Sequence, residues 1–154
     1  MTASVAMLLA VHLLATSAMA GLIWFVQIVH YPLFDSVGVD GFGHYEVEHQ
    51  RRTAWVVGPA MAVEGVSALV IAASLRDEVG LVLPLVGLAL LAGIHASTIW
   101  LQVPAHAVLL DGHDRSVTRR LVSTNWIRTV GWSARSMVAA LMLVAATEPL
   151  VVGG

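Results

Sequence analysis

Four histidines, His30, His44, His49 and His106, give this chain its clearest means of handling a proton or a cation. Imidazole titrates nearest neutrality among side chains and ligates Fe, Cu or Zn when three or four rings converge, so the set is a candidate metal or haem site. No pair has the HExxH spacing of a zinc helix, and loop histidines also serve as simple hydrogen-bonding groups. Arg128 and Asn125, three residues apart, suit a carboxylate or phenolate, with interfacial anchoring as the plainer use. Tyr45 or Tyr31 can donate a proton. Gln102, His95 and Trp132 add polar or amphipathic groups at helical spacing. Glu64 and Arg135 lie in otherwise apolar stretches, where they serve either a substrate or proton path or a structural ion pair that fixes helix register.

These residues need elements to bring them together, and the apolar runs supply four. Residues 5–29 carry no full charge and are long enough to cross a hydrocarbon core of about 30 Å at ~1.5 Å per residue. Ala18-Met19-Ala20 resembles a leader cleavage site, but no basic segment precedes it and the apolar run continues past it, so the segment is expected to stay. Residues 53–75 form a second span with Pro59 inside it. A tight polar turn, Arg76 to Gly80, leads to the third span, 81–103, which Pro104 is expected to close. The fourth, 126–147, carries Arg128 and Arg135 and ends at Glu148-Pro149. Three spans with an interfacial last segment is the alternative count. The first connection contains Gly38, Gly41 and Gly43, then Tyr45, His49 and Arg52 at helical spacing, which predicts a loop and a short interfacial helix. The expected fold is an all-α four-helix membrane bundle, one domain over 1–154.

An even number of crossings puts the first and third connections on one face of the bilayer. That face collects the four histidines with Arg51, Arg52, Arg115, Arg119, Arg120, Asn125 and Arg128; the other holds little beyond Arg76, Asp77 and Glu78. The arginine bias predicts that connections 31–52 and 104–120 are cytoplasmic, in a bacterial inner membrane. Stripes at steps of three and four (Gln27 and His30; His95, Thr98 and Gln102; Asn125, Arg128, Trp132 and Arg135) predict a polar bundle interior. Counted by depth, Glu64, His95 and Arg135 should form one mid-membrane cluster, with His12 at the far end, apart from them. Trp24, Trp55, Trp100, Trp126 and Trp132 read mainly as interfacial anchors or packing. Glycine and alanine at 58, 60, 65, 87, 93 and 96 permit close helix approach, including to a second copy of the chain.

Composition narrows the partners. Of 154 residues, 58% are hydrophobic and 12% charged, lysine and cysteine are absent, and mean hydropathy is +0.82. The lipid bilayer is the expected solvent, and a hydrophobic small molecule the expected ligand. Thiolate and disulfide chemistry are excluded. A net charge of -2 leaves no basic surface for nucleic acid.

Gln102-Val103-Pro104-Ala105-His106, with Thr124-Asn125-Trp126-Ile127-Arg128-Thr129 and Trp132 after a His30-Tyr31-Pro32 exit, resembles the anthrone oxygenase-like family of small membrane proteins. The family commonly has a polar residue, often Asn, two places after the proline, and an Asn…Arg stripe in the last helix. His106, Asn125 and Arg128 occupy those places. The resemblance implies oxidation of a hydrophobic aromatic substrate, as fungal members convert polyketide anthrones to anthraquinones. In such a reaction Arg128 and Asn125 would hold a phenolate or enolate, His106 or His49 would move the proton, and His30 would assist or ligate a metal. A solute or proton transporter using Glu64, His95 and Arg135, and a haem-binding electron carrier, are the rival expectations.

Overall fold

The computed structural model describes residues 1–147, and among them four long helical rods run the length of the molecule. The expected end of the last span at Glu148-Pro149 lies outside the described residues. Helix α1 covers Ala3–Phe25 and continues without a break into a wider π turn, Val26–His30. Two short 3-10 turns, Pro32–Ser36 and Val39–Gly41, carry the chain to α2, Phe42–Ser74. The one-turn α3, Arg76–Val79, reverses direction at Gly80, whose φ of 70° favours glycine. The third rod is α4, Val82–Ser97, then a π turn, Thr98–Gln102, then α5, Val103–Leu109. The last is α6, Arg115–Thr147. Asp114 opens it, accepting from the backbone N–H groups of Ser116 and Val117 and the Ser116 hydroxyl. Those bonds hold its carboxyl below the usual carboxylate range, the Ser116 hydroxyl contributing most.

Two expectations change in detail. The segment bearing Tyr45, His49 and Arg52 is no separate interfacial helix; it is the first third of α2, because nothing between Phe42 and Thr53 breaks a helix. Pro104 does not close the third span either. Proline lacks an N–H and its ring crowds the carbonyl four residues back, so the helix widens by one residue just before it: the Val103 N–H bonds to the Thr98 carbonyl, five residues back. The same device precedes Pro32, where the Tyr31 N–H bonds to the Val26 carbonyl at 3.0 Å. The third rod therefore carries His106 past its proline, while the first gives way at Pro32 to a 3-10 turn.

Helix α6 packs along α1 on one side and α4 on the other, and α2 lies against α1. The α2–α4 seam is the most open of the four. Burial is inverted relative to a water-soluble domain. Leu14, Val66, Val130 and Met137 are each more than 60% exposed, while Thr16, Glu64, Gln102, Asn125, Thr129 and Arg135 are buried. Large apolar side chains turned outward and polar ones inward are the pattern that lipid imposes. The chain is an integral membrane protein, an all-α four-helix bundle.

Candidate functional site

Four elements meet at the end of the bundle that holds the first and third connections. Phe34, fully buried in the turn after α1, is the hub: its ring centroid lies 5.3 Å from that of His30, 5.4 Å from Tyr31 and His49, and 5.6 Å from Tyr45. Helix α2 lays Phe42, Glu46, His49 and Thr53 along one stripe, at steps of four, three and four. Helix α5 brings His106 against that stripe.

His106 Nδ1 donates to Glu46 Oε1 at 2.6 Å, and the Tyr31 hydroxyl donates to His106 Nε2 at 3.0 Å. Gln50 Nε2 donates to the same Glu46 oxygen at 2.9 Å and to the His106 carbonyl at 3.3 Å. His49 Nδ1 lies 2.8 Å from His30 Nε2 and 3.2 Å from the Thr53 hydroxyl. Glu46 is fully buried, and its Oε2 has no hydrogen-bond partner.

A cavity of about 360 Å³ adjoins this cluster, between α2 and the π turn and α5 of the third rod. Tyr31, His49, Gln102, His106 and Arg128 form its polar wall; Ala54, Val57, Gly58, Met61 and Val103 form its apolar one. The Arg128 guanidinium sits 5.4 Å over the Trp132 ring, a cation–π contact, and its Nε is buried without a partner. Gln102 donates from Nε2 to the Thr124 hydroxyl at 3.3 Å, leaving its Oε1 unpartnered. Ala54, Gly58 and Val103 are exposed, so the mouth of the cavity faces what is lipid in the membrane.

The other expected residues fall elsewhere. Asn125 is fully buried but faces α1, donating to Gln27 Oε1 at 3.0 Å, and does not line the cavity. His30 and Tyr45 line a second hollow with Glu48, Arg52 and the exposed His44. His44 stands apart from the other three histidines because its neighbours on α2 turn inward while it turns out.

Deep in the bundle Arg135 Nε donates to Glu64 Oε1 at 2.7 Å, Trp132 Nε1 donates to Glu64 Oε2 at 3.1 Å, and Arg135 Nη1 donates to the Gly87 carbonyl. Trp132 is thus a fully buried donor and no interfacial anchor. His95 is not part of this cluster; its Nδ1 donates to the Leu91 carbonyl of its own helix. His12, expected apart, is one turn away, 2.8 Å from the Ser67 hydroxyl.

Sequence reasoning passed over Glu46. It sits among Glu48, Arg51 and Arg52, where almost every position is polar and an inward stripe is masked. The usable signal was its spacing to Phe42, His49 and Thr53. Comparison with family models, curated proteins and solved structures gives no match to this chain.

Proposed function

We propose that the protein is a membrane oxidoreductase that oxidises a lipid-soluble aromatic substrate bearing an ionisable oxygen, with dioxygen as the oxidant. One observation carries this reading: the cavity between α2 and the Thr98–His106 stretch brings the Arg128 side chain and an imidazole in a Tyr31–His106–Glu46 chain beside an apolar, lipid-facing wall. A flat phenol or anthrone enters from the bilayer and leaves its rings on Val57 and Met61. Arg128 holds the oxygen as it becomes anionic, in a site where little water screens the charge. His106, oriented by Glu46, takes the proton through the Tyr31 hydroxyl, which bonds to its Nε2. For an anthrone the change is balanced by dioxygen alone: a ring methylene becomes a carbonyl, and the second oxygen atom leaves as water. The resemblance to the anthrone oxygenase-like family points the same way. In this reading the site lies at the cytoplasmic end of a bacterial inner-membrane protein, as the arginine bias favours.

Oxygen uptake by proteoliposomes supplied with an anthrone tests the proposal. Arg128→Met is expected to lower kcat/KM by about 10²-fold, the usual loss for one oxyanion donor. His106→Ala should lower it by roughly 10² to 10⁴. Turnover that survives both replacements removes the assignment.

A further inference from the structure

We infer that Glu46, His49 and His106 form a binding site for a divalent transition-metal ion whose open coordination positions face the cavity between α2 and α5. One oxygen of the carboxylate and one nitrogen of each imidazole lie within 4.8 Å of one another. Donors sharing an ion at about 2.1 Å stand roughly 3 to 3.5 Å apart, so modest side-chain rotations close the set. Two imidazoles and one carboxylate are the donor set used for Zn and for non-haem Fe(II), in both cases with positions left for water or substrate.

The bonds around the three residues support the inference more strongly than their proximity. Glu46 and His49 each have one free donor atom, and all three residues have a partner that fixes the rest of the side chain. Glu46 Oε1 is held by Gln50 and His106, while Oε2 is buried and unpartnered. No arginine pairs with Glu46 among the described residues, although a buried carboxylate needs a compensating charge. His49 is oriented at Nδ1 by His30 and Thr53, which leaves Nε2 for an ion. His106 is oriented at Nε2 by Tyr31. An ion at His106 Nδ1 would replace the bond to Glu46 Oε1, which Gln50 still holds, and move the ring proton to Nε2, where the Tyr31 oxygen would accept it. Partners of this kind on the far nitrogen are what metal-bound histidines regularly have. His30 is therefore a positioning residue, and the exposed His44 takes no part.

The site shares the cavity of the proposed oxidation but does not rest on it, since metal binding is read without substrate. With an ion bound, His106 would serve as a ligand in place of its role as proton acceptor. The test is titration of chelator-treated protein in detergent with Zn²⁺ by calorimetry, and with Co²⁺ by visible absorption. One ion per chain is expected. Glu46→Gln and His49→Ala should each weaken binding at least tenfold, His30→Ala by about 10- to 100-fold as for a second-layer partner, and His44→Ala not at all. Circular dichroism identifies any variant that fails to fold, and the half-buried His49 supplies the reading if Glu46→Gln is lost. Absence of saturable binding, or equal binding in the wild type and in both ligand variants, overturns the inference. Metal binding without anthrone turnover keeps this site and removes the oxidation; turnover by protein that binds no metal does the reverse.

Discussion

At the scale of residues, the Glu64–Arg135 pair and the Glu46 cluster differ in what surrounds them. Glu64 has both oxygens engaged, by Arg135 and Trp132, and is enclosed. Its work is to hold α2, α4 and α6 together. Arg135→Met leaves the carboxylate buried and uncompensated, a loss of about 3–5 kcal/mol in comparable pairs, which thermal unfolding in detergent would register as a clear fall in Tm. Trp132→Phe keeps the ring but removes a donor to Glu64, and should cost ~1–3 kcal/mol by the same measurement. The pair itself is legible in the sequence, because charges in apolar stretches must find each other. Its neighbours are misplaced by a depth count along α2 that starts at Thr53. The residue beside His30 is His49, so Glu64 lies about 22 Å below that level. His12, about 27 Å from His30, then falls next to it, and Gly87, not His95, faces the pair.

At the scale of elements, the two π turns place the polar groups of the site. Each ends two residues before a proline, and the second shifts the register of α5 by one residue. The prolines are visible in the sequence, where local pattern makes Pro104 a helix end; that a helix can widen and continue depends on the packing that holds α5 against α2, which no local pattern reveals. Pro104→Ala restores the missing N–H. It should relax the turn toward α-helix, rotate Gln102 relative to His106 and weaken phenol binding in the cavity, with helix content by circular dichroism unchanged. Close packing sets a second constraint. A Cβ at Gly131 would stand 2.7 Å from Ile94 Cγ1, so α4 and α6 can approach only because residue 131 is glycine. Gly131→Ala should destabilise by about 1–3 kcal/mol, and Ile94→Ala in the same chain should recover part of that loss in Tm.

For the whole molecule, the four apolar runs announce themselves because lipid leaves no choice of solvent for them, and parity then tells which connections share a face. The cavity is less legible. It arises between α2 and the Thr98–His106 stretch, from four separate parts of the chain between Tyr31 and Arg128, and the buried acid beside it lies hidden in a stretch that reads as surface. The site exists only if both connections lie on one side of the bilayer. With no native cysteine, single cysteines at the exposed positions His44, Asp111 and Asp77 can be labelled in sealed vesicles by a membrane-impermeant maleimide. Cysteines at 44 and 111 are expected to react from the same compartment and the one at 77 from the opposite compartment. Labelling of 44 and 111 from opposite sides would contradict a site shared by the two connections.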